Sequence, residues 1–95
     1  MAGEKTNQLI GLDGLKRDAQ SEENLNLVFK EIFLSKAGKE ILAYLRAITI
    51  DSVAGPDIND TQLRHLEGQR YIVGLISRRV NKGISQSMVK EKENE

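Results

Sequence analysis

The feature that most constrains this chain is a threefold recurrence of apolar residues at helical spacing. Leu25, Val28, Phe29, Ile32 and Phe33 recur at i, i+3, i+4, i+7 and i+8, which puts them on one side of a helix. Ile41, Leu42, Tyr44, Leu45 and Ile48 form a second apolar side. At ~100° per residue, Leu63, Leu66, Val73, Ile76 and Val80 share a third stripe. The 95 residues suit one compact domain, and their four aromatics and one proline, against many Leu, Ile, Glu, Lys and Arg, favour helix over sheet. The expected fold class is all-α, a small bundle of about three helices over residues 22–34, 36–48 and 60–81. An N-terminal arm (1–20) precedes this helical domain (21–83), and a charged polar tail (84–95) follows it. Phe29, Phe33, Ile41, Leu45, Leu66 and Val73 are the expected core.

Helix ends carry their own signals. Ser21 is the expected first N-cap, with Glu22 and Glu23 at the positive end of the helix dipole. Ser35 is a second N-cap, so a break between helices one and two is preferred to one continuous helix over 22–48. Gly38 inside the second helix costs about 1 kcal/mol relative to Ala, which close helix–helix approach would justify. Residues 49–60 form a loop around Gly55-Pro56, with Asn59 or Asp60 capping the third helix. The acidic residues of this loop lack the ligand spacing of a calcium site. Arg78, Arg79 and Lys82 suit the last turn of that helix, and Gly83 the position just after it.

Two segments hold more apolar surface than one small domain easily covers. Tyr71-Ile72-Val73-Gly74-Leu75-Ile76 is apolar nearly all round, and Tyr71, Ile72 and Leu75 point away from the Val73 stripe. The arm is polar except for Leu9, Ile10, Leu12 and Leu15, and Gly3, Gly11 and Gly14 break any helix there. It is either flexible or docked through those apolar residues. The second face of helix three is then covered by the arm or by another subunit. This makes Tyr71, Ile72, Leu75, Leu9, Ile10 and Leu12 the candidate protein interface.

The function classes narrow by exclusion. The chain has no cysteine, which removes disulfides, thiol catalysis and thiolate metal sites. His65 is the one histidine, too few for an ordinary zinc site, and its charged helical surroundings make it a surface residue. There is no glycine-rich phosphate loop and no convincing dicarboxylate pair. No catalytic, cofactor-binding or metal-binding residue is expected, nor a small-molecule substrate. No apolar run reaches the ~18 residues of a membrane span, and the N-terminus lacks the order of a signal peptide, so a cytoplasmic origin is the default expectation.

Fourteen basic residues balance fourteen acidic ones, but residues 64–82 carry net +4. Arg64, Arg78, Arg79 and Lys82 are therefore candidate nucleic-acid contacts, which leaves nucleic acid open as a partner. Arg70 shares the core stripe and needs a carboxylate, because an unpaired buried charge is very costly. Glu67, three residues earlier, is the expected partner in a structural ion pair.

Two stretches carry a resemblance. Residues 28–45 hold aromatic Phe29, aromatic Phe33, Gly38, apolar Ile41-Leu42 and Leu45 in fixed spacing, and residues 65–73 hold Glu67-Gly68-Gln69-Arg70. Both resemble a family of small tailed-phage proteins named after a Bordetella podophage member, which shows the same spacing and a Glu-Gly-x-Arg signature on its last helix. The resemblance implies a phage protein made with the virion or DNA-packaging proteins, with no enzyme activity. The expectation is a non-enzymatic, oligomeric helical component of the virion or the packaging machinery. It would be located in the host cytoplasm during assembly or in the particle, with copies of itself or other phage structural proteins as partners. The alternatives are a small nucleic-acid-binding packaging subunit or regulator and an adaptor or inhibitor that binds a host protein.

Overall fold

The computed structural model describes residues 8–93. Two short strands, β1 (Gln8–Ile10) and β2 (Lys16–Asp18), are followed by helices α1 (Ala19–Phe33), α2 (Lys36–Ile48) and α3 (Asp60–Glu93). The mostly helical three-helix bundle agrees with the sequence pattern. The hairpin is an addition to it: β1 and β2 pair antiparallel, with Leu9 opposite Arg17. Its turn closes with the Gly11 N–H donating to the Leu15 carbonyl at 2.8 Å, and Gly14 adopts φ +86°, the left-handed region that favours glycine. The sequence shows an arm here because three residues per strand are too few for an alternating pattern to register. Gly3, also read as part of the arm, lies outside the described residues.

The helix ends show which local signals prevailed. Asp18, not Ser21, caps α1: its carboxylate accepts from the Ser21 N–H at 2.8 Å and the Ser21 hydroxyl at 3.0 Å. Those hydrogen bonds hold the Asp18 carboxyl below its usual range. The break between α1 and α2 falls at Leu34-Ser35, where the Ser35 hydroxyl accepts from the Gly38 N–H at 3.0 Å. Asn59 and Gln62 form a reciprocal capping box at the start of α3, each side chain accepting from the other's backbone N–H.

The largest departure is the length of α3. It continues through Gly83 to Glu93, so most of the stretch read as a charged tail is helical. Gly83 does not end the helix; it admits α1. A Cβ there would lie 2.5 Å from the Asn26 carbonyl oxygen and 2.7 Å from the Lys30 Cβ. Gly38 acts similarly at the α1–α2 corner, where a Cβ would overlap the Ile32 carbonyl. Beyond Gly83, the Lys30 ammonium donates to the Ser87 hydroxyl, and Gln86 bonds both Asn26 and the Glu23 carbonyl. These contacts to α1 hold the polar C-terminal half of α3 in helix.

α3 has 34 residues, about 51 Å at 1.5 Å per residue, and so spans the long dimension of a body 55 × 34 × 17 Å. α1 runs along its C-terminal half and α2 returns toward its middle, where Arg46 donates to the Ser77 hydroxyl. The radius of gyration is 17.0 Å, against about 12 Å for a compact chain of this length. So thin a body buries few apolar residues: among the described residues, only Val73 and Val80 form the fully buried hydrophobic core. Phe29, Phe33, Leu45 and Leu66 are half-buried, with Phe29 stacked on Phe33 at 6.0 Å, and Ile41, expected in the core, faces solvent.

Two glycine substitutions separate packing from propensity. Gly83→Ala is expected to lower the melting temperature, because its methyl meets the α1 backbone. Gly74→Ala, with nothing within 4 Å, is expected to raise stability by up to about 1 kcal/mol. Thermal denaturation followed by circular dichroism checks both, and a Gly83→Ala variant as stable as the parent contradicts the close α1–α3 approach.

Candidate interaction surface

The most deeply buried large side chains are polar. Arg79, on α3, is 1% exposed and lies against Glu22 and Asn26 of α1. Its guanidinium donates to the Glu22 carboxylate at 2.9 Å and to the Asn26 side-chain oxygen at 2.7 Å. Asp13 of the hairpin turn stands 3.4 Å away, and the Phe29 ring lies 6.0 Å from the guanidinium carbon. Arg17 closes the cluster, bonding Asp13 at 2.8 Å and Glu22 at 2.6 Å, while Glu22 also accepts from the Leu12 N–H at 3.0 Å. Two arginines and two carboxylates thus tie the hairpin to α1 and α3.

Electrostatics follow from these contacts. Burial pushes the Glu22 carboxyl up, but the Leu12 N–H and the two guanidinium groups outweigh it and hold the carboxyl below its usual range. Asp13 is held well below that range by its hydrogen bonds to Arg17 and to the Leu15 N–H. Both folded-state pKa values are depressed. The cluster therefore stabilises the fold fully above the ordinary carboxylate range, and the contribution is lost as pH falls through the depressed values.

This arrangement corrects the reading of the basic stripe. Arg79 cannot reach a phosphate, because it is buried and engaged. Arg70 is also occupied: it pairs with Glu67 at 2.6 Å and donates to the carbonyls of Thr49 at 2.9 Å and Ser52 at 2.6 Å. Arg70 thereby binds carbonyls at and just beyond the end of α2, which fixes the α2–α3 loop to α3. Arg64, Arg78 and Lys82 remain exposed. Sequence reasoning missed Glu22 and Asp13, taking Glu22 for a dipole partner and the Asp13 turn for part of the arm. The available signal was the spacing of Arg79 to Gly83, one helical turn, which puts the arginine on the face that α1 approaches.

The apolar surface is extensive. On α2, Leu42 and Leu45 turn inward and are half-buried, whereas Ile41, Tyr44 and Ile48 are 55%, 63% and 50% exposed. With Ala37 they form an outward stripe of 4-3-4 spacing, the seam pattern of a helix that packs on another helix. Beside Ile48 a groove of about 690 Å³ runs between the end of α2 and α3, lined by Leu45, Ile48, Arg64, Gly68, Ile72 and Val73 among others. Of the expected interface residues, Tyr71 and Ile72 are exposed on α3 and Leu75 is half-buried. Leu9 and Ile10 are exposed on the hairpin and Leu12 is half-buried in it. The hairpin is anchored at the Glu22 end of α1 and leaves Ile72 55% exposed, so the described part of the arm, residues 8–18, does not close that face.

Among the described residues, no three His, Asp or Glu stand together as metal ligands, and no helix is long and apolar enough to cross a membrane. A family model described as Bbp19-like phage protein matches residues 29–89. The match takes in the last third of α1, all of α2 and nearly all of α3, including Arg79, while Asp13, Arg17 and Glu22 lie outside it. No curated protein and no solved structure matches the chain.

Removing one partner of the buried pair is expected to be costly. Glu22→Leu should destabilise the fold by about 3–5 kcal/mol, because it leaves Arg79 short of its main counter-charge. Glu22→Leu combined with Arg79→Met should cost less than the two single changes added together. Urea unfolding at neutral pH measures the coupling. In the parent, the unfolding midpoint should stay level down to about pH 5 and fall below it. Additive single and double variants would show that the cluster does not act as a unit.

Proposed function

From the premise that this chain belongs to the Bbp19-like phage protein family, we propose that it is a non-enzymatic helical component that self-associates in the assembling phage particle or its DNA-packaging machinery. The observation that carries this reading is the mismatch between the chain's apolar content and what its fold buries. Among the described residues only Val73 and Val80 are buried hydrophobic side chains, while Ile41, Tyr44, Ile48 and Ile72 stand at least half exposed, the last two lining one groove. Patches of this kind on a folded surface mark contact sites. Burying such a side chain completely is worth roughly 1.5–3 kcal/mol. Several half-exposed ones on each of two copies reach the range needed to offset the entropic cost of association, about 4–15 kcal/mol. The nucleic-acid reading has less support, because two of the five basic residues between 64 and 82 are engaged within the fold.

Light scattering on the eluting protein is expected to give a mass above that of one 10.6 kDa chain, unchanged by added DNA at low or high salt. Mass spectrometry of purified particles and of packaging intermediates should detect the chain in one of them. A monomer at high concentration, absent from both, would end this proposal.

A further inference from the structure

Two glycines on α3 stand in opposite surroundings. Gly83 is filled from outside by α1, whose backbone comes within contact of where a Cβ would be. Gly68 lies in the helix interior, where glycine is unfavourable, and nothing of the chain comes within 4 Å of the same point. Gly68 lines the groove beside Ile48 and Ile72. Ile48, the last residue of the stripe Ala37–Ile41–Tyr44–Ile48, lines that groove, so the stripe leads along α2 into it. An apolar stripe with helix-packing spacing and a groove lined in part by apolar side chains therefore meet at Ile48 on one chain.

We infer that this groove takes α2 of a second copy, in a twofold pairing where each copy's stripe occupies the other's groove. The inference rests on the self-association reading and names its surface. Adjacency of stripe and groove is what a closed isologous contact requires: the rotation that seats one helix seats the other. The chain direction fixes the fit. Arg46 meets Ser77 and Thr49 meets Arg70, so α2 runs antiparallel to α3. A twofold axis near Tyr44 and Ile48 lays the two α2 helices antiparallel. The first turns of each then overhang the other copy's α3, placing Ile41 over Gly68. The charges agree with this register. Glu40 is the charge nearest the stripe, one residue before Ile41, and Arg64 is an exposed charge at the groove rim, one turn before Gly68. Glu40 of one copy then meets Arg64 of the other.

The natural chain contains no cysteine, so engineered pairs report cleanly. In the full chain carrying Ile41→Cys and Gly68→Cys, mild oxidation is expected to give a disulfide-linked dimer. Val53→Cys, at a position 90% exposed on the loop, should cross-link far less. Gly68→Leu should weaken association at least tenfold in analytical ultracentrifugation while leaving helicity unchanged. Glu40→Arg should weaken it too, and Arg64→Glu in the same chain should restore it. Should Gly68→Leu fail to fold, Gly68→Ala and the charge swap carry the test. An oligomeric parent whose folded variants keep its mass, with no 41–68 cross-link, overturns this surface and leaves self-association standing. A parent that is monomeric at high concentration overturns both.

Discussion

Burial of Arg79 is the constraint on which the rest of the structure depends. A guanidinium with 1% exposure must have its charge and its donors answered from within the protein. Glu22 and Asn26 answer it from α1, and Asp13 from the hairpin. This fixes α1 along α3 in both register and direction, since a slip of one turn would strand the guanidinium in the interior. It also recruits the hairpin. Glu22 can serve Arg79, Arg17 and the Leu12 N–H together only when the turn sits at the start of α1. The close approach this demands is admitted four residues further on, where Gly83 lets the α1 backbone rest on α3.

That arrangement makes α3 asymmetric along its length. Its C-terminal half is polar in sequence yet held along one face, because α1 lies on it through Asn26, Lys30, Ser87 and Gln86. Its apolar stretch over residues 71–76 is less covered, because α1 begins only alongside Arg79 and α2 makes its hydrogen bonds to α3 near residues 70–77. Arg70 completes this geometry by holding the Thr49 and Ser52 carbonyls, which keeps the α2–α3 loop folded back. Ile72 and Tyr71 stay in solvent as a consequence.

Helix existence was legible in the sequence because apolar spacing and caps are local. The α1–α2 break at Ser35, the role of Gly38 and the Glu67–Arg70 contact follow from neighbours within a few residues. What was not legible depends on partners far apart in the chain. Glu22 and Arg79 are 57 positions apart, and nothing near either one announces the other. The same reason explains the length of α3. Residues 84–93 have little apolar content of their own, and their helix is held by side chains of α1. The split of the α2 apolar side was hidden too. Ile41, Leu42, Tyr44, Leu45 and Ile48 span an arc of roughly 160° at ~100° per residue, and periodicity alone does not say which part of it meets α1 and α3.

The division of labour between polar and apolar groups in this protein is unusual for its size. Its largest fully buried side chains are Arg79 and Asn26, while Ile41, Tyr44, Ile48 and Ile72 are at least half exposed. Hydrogen bonds and ion pairs are directional and reject alternative registers, so they suit a chain that must hold a single shape with little core. Apolar contact is non-directional and scales with area, so its strength is available wherever surface remains. A monomer that spent its isoleucines on its own core would need fewer buried charges. It would also lose the apolar surface around the α2–α3 groove. Keeping the fold polar inside leaves that surface in solvent, at the same α2–α3 corner that Arg70 holds in place.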